Sequence, residues 1–466
     1  MFKSLIADKS FYKRLILLML PIMVQNGITN FVNMIDNIMI GSVGTNEMTG
    51  VAVTNQLLFV FNLCIFGAVS GAGIFGAQFF GSNDHEGVRN SFRFKILFGT
   101  VLTVAAIFIF SFAGKIMIGA YMNGEAGVTD PTIALSSANK YLITMLIGLI
   151  PFTIVQCYSS TLREGGQPSL PMIAGICAVL VNLILNYILI FGKLGAPALG
   201  VEGAAIATVI SRFVECVIII VATHKDKKRY PYMTGVYKTL KVPYKLAGRL
   251  FIKGLPLMLN ETLWSAGIAV INQAYSLCGL DAMAAVNISQ TFWNVFSIAY
   301  LAVGNAVGII LGQMLGANKL KEAKKSSYQM IAFSFTVALV IGIVYFLCSE
   351  LIPCAYKTEP EIRSLSTSLI RITAILMPFE SLCHASYFTM RSGGKMTVTF
   401  IFDSVYTWCV NVVVAYVLTR FTSASFLTVF TAIQLLVIPK DIAGILLVKN
   451  GFWAKNIVNE NNETAV

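Results

Sequence analysis

The chain has 466 residues, of which 56% are hydrophobic and only 12% charged, with a formal net charge of +12. Soluble domains carry about 25% charged residues, so this composition, with a mean hydropathy of +0.75, excludes an ordinary water-soluble fold and places the chain in lipid. The basic surplus is accounted for by orientation in a membrane and calls for no nucleic-acid partner.

Apolar stretches long enough to cross a hydrocarbon core, which takes about 20 helical residues, recur from end to end. Breaking them at charged or Gly/Pro-rich turns predicts twelve helices, over 15–41, 47–80, 94–119, 138–162, 169–191, 199–223, 248–277, 282–315, 326–349, 363–391, 396–419 and 424–447. The runs lack the two-residue alternation of a membrane barrel, so the expected fold class is all-α and polytopic. The first run is too long for a signal peptide and has no small-residue cleavage site, so it is expected to stay as a helix. Pro21, Pro151, Pro256 and Pro378 fall inside the first, fourth, seventh and tenth spans, where each removes a backbone bond. Such positions serve as hinges or as fixed bends; Pro21 and Pro256 are the hinge candidates.

The chain is duplicated. Pro21 recurs as Pro256, Gly44 as Gly279, Met48 as Met283, Gly73 as Gly308, Gln78 as Gln313, Gly81 as Gly316 and Asn83 as Asn318, always 235 residues on. The run ThrLeuArgGluGlyGly from Thr161 recurs as ThrMetArgSerGlyGly from Thr389, 228 residues on. Such repetition decides architecture before any local reading. Each copy holds six helices, an even number, so both start on the same side and relate by a pseudo-two-fold axis along the membrane normal, as in many secondary transporters. The expected organisation is an N-terminal lobe at 1–223, a linker at 224–247, a C-terminal lobe at 248–448 and a tail at 449–466. A cleft between two such lobes can open to one side and then the other.

Orientation follows from Lys and Arg. The N-terminus with Lys3, Lys9, Lys13 and Arg14, the turns after even-numbered spans, the linker and the tail hold 26 of the 34 basic residues. These include Lys95, Arg163, Arg391, Lys395 and Lys440, all expected on the cytoplasmic side with both termini. A cell-membrane protein is implied, with the basic linker solvated near lipid headgroups. The nine cysteines lack metal spacing; Cys348 and Cys354 are close enough in sequence to form a bridge.

Four carboxylates fall within spans: Asp36, Glu261, Glu380 and Asp403. Each costs at least about 2.5 kcal/mol at a bilayer centre unless it faces a cavity or partner, so each is a candidate functional group. Arg212 and Glu215 share one face of the sixth helix and read instead as a structural pair. A rise of about 1.5 Å per residue puts Asp36 roughly 33 Å from the cytoplasmic start, and Asn182 and Asn186, one turn apart, roughly 21 to 27 Å in, with Thr208 at a comparable level. Glu380 lies roughly 16 Å and Glu261 and Asp403 roughly 12 Å from the cytoplasm, so Glu261 and Glu380 are expected to share one cation, possible Na⁺, with help from Asn260, Thr262 or Asp403. Two such clusters, one per lobe, suit a carrier that exchanges cations.

These residues also carry a resemblance. The LeuPro opening of both halves, ValAsnMetIleAspAsnIleMetIleGly around Asp36, GlnPhePheGlySerAsn and GlnMetLeuGlyAlaAsn, and GluGlyAlaAlaIleAlaThr from Glu202 are similar to the MATE family of multidrug and toxic compound extrusion transporters, from about Lys13 to Trp453. The resemblance implies a twelve-helix antiporter that exports cationic or amphipathic drugs in exchange for Na⁺ or H⁺, without a cofactor and as a monomer. It implies that Asp36, Glu261 and Glu380 match acids of the first, seventh and tenth helices. Asn182 and Asn186 stand where one branch has Asp, which makes the chain more similar to the NorM-type branch. The alternative within transport is a flippase of lipid-linked saccharide, whose cavity would need Arg and Lys where the interior spans offer mainly Arg212 and Arg371. An enzyme is not expected: His85, His224 and His384 are isolated, and neither HisGluXaaXaaHis nor GlyXaaSerXaaGly occurs.

Overall fold

Each expected span is helical in the computed structural model, which describes residues 6–122, 131–356 and 358–459. Lys3 and the 460–466 end of the tail lie outside the described residues. The first half comprises α1 (Lys9–Gly41), α2 (Thr45–Gly81), α3 (His85–Met122), α4 (Pro131–Glu164), α5 (Ser169–Phe191) and α6 (Val201–Lys225). The second comprises α7 (Tyr244–Ser276), α8 (Leu280–Phe296), α9 (Ile298–Gly316), α10 (Leu320–Leu347), the single turn α11 (Leu351–Cys354), α12 (Pro360–Ser392), α13 (Met396–Phe400), α14 (Val413–Phe421), α15 (Phe426–Leu435) and α16 (Val437–Asn450). Twelve helical spans among the described residues are long and apolar enough to cross a membrane, Met396–Phe421 and Phe426–Asn450 each taken as one run. Several begin earlier than expected, α3 at His85 rather than 94, because Arg89, Arg93 and Lys95 ride on its first turns instead of ending it.

The second half is less regular than its sequence suggests. Its second span breaks at Ser297 between α8 and α9, and its last at Leu436 between α15 and α16. The eleventh span joins α13 to α14 through π-helical turns over Ile401–Val405 and Thr407–Val412. Widened turns of this kind commonly mark functional positions, because they re-aim side chains that a regular helix would align.

The chain divides into two compact units. Residues Val24–Gly76 and Asp84–Met258 form one; those up to Met23, Ala77–Asn83 and those from Leu259 form the other. Pro21 and Pro256 lie inside the continuous helices α1 and α7. Each helix changes unit two residues beyond its proline, after Met23 and after Met258, positions again 235 apart.

In the first unit α4 packs between α3 and α6, and α5 packs on α6. Lys95, expected to be a solvated cytoplasmic charge, is buried: its Nζ lies 2.6 and 2.7 Å from the Glu164 carboxylate oxygens and 3.0 Å from Thr161 Oγ1. Ser160 Oγ also donates to Glu164, and Gly73 and Gly76 on α2 leave the space the carboxylate fills. The basic residues of the linker, Lys227, Lys228, Arg229, Lys238 and Lys241, are exposed as expected. Between them Tyr230, Tyr232, Met233 and Val236 are buried, Arg93 Nε donates to Val236 O (2.8 Å), and Tyr158 OH meets His224 Nε2 (2.9 Å) and Tyr237 OH (2.7 Å), so the segment is anchored as well as solvated.

In the second unit α12 is central, packed on α8, α9, α10, α15 and α16. The end of α2 crosses α9 so closely that a Cβ on Gly81 would strike the Gln313 carbonyl and one on Gly316 the Gln78 carbonyl. Beyond the crossing Asn83 and Asn318 take φ of 57° and 59°, the left-handed region that Asn tolerates better than other residues with a side chain. The repeated Gly and Asn of the two copies thus have one structural cause. Residues 451–459 pack back onto this crossing: Trp453 is fully buried, Ile457 N donates to Gln78 Oε1 (2.8 Å), Gln78 Nε2 to Ser392 O (3.0 Å) and Asn456 Nδ2 to Gly316 O (3.2 Å). Cys348 and Cys354 form no bridge; both are free, and Cys354 Sγ donates to Glu350 O.

Two stability measurements check this packing, both by melting temperature in detergent. Gly81→Val and Gly316→Val should each cost about 1–3 kcal/mol through backbone clash, whereas Gly119→Ala, in helix α3 with nothing within 4 Å of the added methyl, should gain up to about 0.5–1 kcal/mol. Glu164→Gln, which strips the buried Lys95 ammonium of its counter-charge, should cost about 3–5 kcal/mol, and the apolar pair Lys95→Met with Glu164→Leu should recover most of it.

Candidate cation and substrate sites

The first site is built by α1, α5 and α6. Asn182 and Asn186 are four residues apart on α5, so both carboxamides leave the same face; they are 5% and 1% exposed. Asn186 Nδ2 donates to Asp36 Oδ1 at 2.6 Å. The Asn182 carboxamide is best satisfied with its nitrogen toward Asp36, 3.1 Å from both carboxylate oxygens, and its oxygen accepting from Thr208 Oγ1 at 3.3 Å. Thr208 Oγ1 also lies 3.0 Å from Ala204 O, and Asn186 Oδ1 is buried without a hydrogen-bond partner. The structure therefore brings Asp36, Asn182, Asn186 and Thr208 together. Tyr141 of α4, not anticipated from sequence, is buried within the field of both Asp36 and Arg212. Chemically this is one carboxylate that accepts from two carboxamide nitrogens, with the amide oxygens of Asn182 and Asn186 and the Thr208 hydroxyl next to it, so that a small hard cation or a proton at Asp36 has neutral oxygens at hand once the amides turn.

The second site is built by α7, α12, the π-helical stretch after α13, and α16. Asn260 Nδ2 donates to Asp403 Oδ2 (3.0 Å) and to Tyr387 OH (3.2 Å), while Ser404 Oγ donates to Asn260 Oδ1 (2.8 Å). Lys440 Nζ lies 2.8 Å from Asp403 Oδ1, and Arg391 Nη1 3.9 Å from Glu261 Oε1, which Tyr387 OH reaches at 3.5 Å. These contacts run as one chain from Lys440 through Asp403, Asn260 and Tyr387 to Glu261 and Arg391.

Glu261 and Glu380, expected to share one dissolved cation, each lie near a fixed cation of the protein. Arg391 and Asp403 are the charged groups acting on Glu261, and Lys440 and Asp403 those acting on Glu380. The reason is that Arg391 and Lys440, read from sequence as cytoplasmic charges, are turned inward, with side chains only 7% and 12% exposed. Asp441 was also missed: it is 4% exposed, with neither carboxylate oxygen hydrogen-bonded among the described residues. Its sequence signal was present, an acid in the middle of the last apolar run. No three His, Cys, Asp or Glu side chains converge as a metal-holding group among the described residues, so a cation in either half depends on neutral oxygens.

Beside the second site a cavity of about 220 Å³ lies wholly within its own unit. Trp264, Tyr275, Trp293 and Phe430 supply aromatic walls, and Glu380 and Lys440 its charges. Aromatic faces with one carboxylate are the surroundings a flat organic cation needs.

Known proteins resemble this chain over its whole length. A protein named "Probable multidrug resistance protein NorM" from Thermotoga maritima is 25% identical over 452 residues, 96% of this chain and 94% of that one. "Probable multidrug resistance protein YoeA" of Bacillus subtilis is 25% identical over 450 residues, 95% of this chain and 94% of its own. Among solved structures, the Vibrio cholerae MATE transporter VcmN has a TM-score of 0.86 at 18% identity, covering 97% of this chain and 99% of that one; an outward-facing MATE family transporter of the MOP superfamily has a TM-score of 0.83 at 18% identity, covering 96% and 97%. These structures share the fold. The MatE family model matches residues 21–188 and 256–417, and so takes in both copies of the repeat: the chain belongs to the MatE family.

Proposed function

We propose that this protein is a secondary active exporter of the cell membrane that expels cationic and amphipathic drugs in exchange for Na⁺ or H⁺ by alternating access. The observation that carries this reading is the Asp36 pocket, a carboxylate within a membrane helix surrounded by Asn182, Asn186 and Thr208. A pocket with one negative charge and neutral oxygens changes its net charge by one when an ion or proton enters, so its filling couples to membrane voltage. One charge moved through 100 mV is worth about 2.3 kcal/mol, enough to bias a two-state exchange about fifty-fold.

The names of the Thermotoga and Bacillus relatives both speak of multidrug resistance, which suggests the cargo. The aromatic cavity with Glu380 is its candidate berth. Pro21 and Pro256 serve as hinges in this reading, since α1 and α7 change unit just beyond them. Both sites are made by one chain, so a monomer suffices. The bias of Lys and Arg supports cytoplasmic termini.

Reconstituted vesicles under imposed Na⁺ or proton gradients test the whole reading through export of a cationic dye. Asp36→Asn should lower ion-driven export at least about tenfold while the protein still folds and inserts; export at the wild-type level at matched protein would remove the pocket from the mechanism. Ion-independent scrambling of labelled lipid, without dye export, would favour a flippase instead.

Orientation has its own check in a cysteine-free background. Cysteines at Lys228 and Lys321 should react with an impermeant reagent only after the cell is opened, and cysteines at Leu194 and Leu280, 88% and 89% exposed, in intact cells. The reverse pattern would invert the topology.

A further inference from the structure

Lys440 is an unusual residue to find inside a membrane unit. Its ammonium touches Asp403 and stands 5.3 Å from the Phe402 ring and 5.8 Å from the Tyr406 ring, a cage of one carboxylate and two aromatic faces. Glu380 acts on it from α12, and Asp441, its chain neighbour, is within the field of both. Glu380, Cys383 and Lys440 line one cavity, and Asp403 holds the ammonium at its side. Arg391 is held apart by its own partner, Glu261, and by the Phe388 ring 5.0 Å away.

The repeat shows that this cation position is duplicated. At the 228-residue offset Lys440 corresponds to Arg212, Arg391 to Arg163, Glu380 to Phe152 and Asp403 to Gly175. Arg212 lies 5.0 Å from the Phe152 ring and donates to Gly148 O (3.2 Å), so the first-half counterpart rests on an aromatic ring where Lys440 faces a carboxylate. The second half thus carries two acids, Glu380 and Asp403, where the first has Phe152 and Gly175, near a cation that both halves hold. An ammonium that hydrogen-bonds a carboxylate between aromatic faces occupies the volume, charge and donor directions that a small cation would use.

We propose that Lys440 is a cation tethered within the second half, filling the position beside Asp403 and Glu380 that a dissolved coupling ion would otherwise take, so that ion binding from solution is confined to the Asp36 pocket. The proposal builds on the ion-coupled reading but does not depend on which ion fills that pocket.

Binding of radiosodium to the purified full-length protein tests it. Asp36→Asn should abolish saturable binding, and Asp36→Asn with Lys440→Ala should bind Na⁺ again, losing it once more when Glu380→Gln or Asp403→Asn is added. Lys440→Arg, which keeps the charge, should create no such site. The same Lys440→Ala protein should gain melting temperature with added ethylammonium but not with choline, as expected when a small ammonium enters the space left by the side chain. Failure of the Lys440→Ala variants both to bind Na⁺ and to respond to ethylammonium overturns the proposal, as does Na⁺ binding by Asp36→Asn alone that disappears with Glu261→Gln or Asp403→Asn. Absence of Na⁺ binding in the wild type, with its appearance in Lys440→Ala, would remove Na⁺ from the Asp36 pocket while leaving the tethered cation in place.

Discussion

The cost of an uncompensated charge in a low-dielectric interior governs this molecule. Each inward carboxylate must be met by something, and the two halves meet theirs differently. Asp36 is met by neutral groups, two carboxamides and a hydroxyl, which solvate the charge without cancelling it. Asp403 and Glu261 are met by fixed cations, Lys440 and Arg391, which cancel it. A charge that is solvated but not cancelled remains available to an ion from outside; a cancelled one does not unless its partner moves. The same constraint accounts for Lys95 and Glu164, a buried pair with hydroxyl donors and no cavity to serve.

Duplication supplied the frame and divergence the chemistry. Where both copies keep a residue the cause is backbone geometry: the crossing at Gly81 and Gly316, the left-handed Asn83 and Asn318, and the turns at Gly166 and Gly394, both with φ of 76°. Where the copies differ, charge has been rearranged around retained cations. Arg163 reaches Gln25 at 2.7 Å, whereas its counterpart Arg391 approaches Glu261, one residue beyond the counterpart of Gln25. Gly175, the counterpart of Asp403, leaves space that Gln25 and Glu215 border, so the first half takes its acid from α6.

The twelve spans were legible because hydropathy over about 20 residues is a strong, averaged signal. The shared face of Asn182 and Asn186 was legible too, since helical spacing decides which carboxamides leave one side, whereas the depth count, roughly 33 Å for Asp36 against roughly 21 to 27 Å for the pair, set apart groups that touch. The second site was not. Its depth estimate assumed regular helices, yet Asp403 sits in π-helical turns and the flanking spans break at Ser297 and Leu436. The positive-inside rule counts basic residues by sequence position and says nothing of where a side chain points, so the inward turn of Lys95, Arg391 and Lys440 was not foreseen. Such partners are set by tertiary packing, which composition does not encode.

This division of labour bears on how the chain can couple two fluxes without a second ion. If both halves held solvated acids, each cycle would carry two ions, and a drug cation would compete with either. With Lys440 fixed beside Glu380, the second half is already charge-compensated and its cavity can accept or release a drug cation by a local shift of one side chain between Asp403 and Glu380. In the function we propose, the first half senses the gradient and the second the cargo. Three helices belong to both units, α1, α2 and α7, and two of them, α1 and α7, change unit just beyond a proline; α1 continues to Asp36, and α7 to Asn260 and Glu261. A change of charge at Asp36 acts on one of these helices directly, and the other carries the acid that anchors the second network, so the coupling element and the two sites are parts of the same covalent structure.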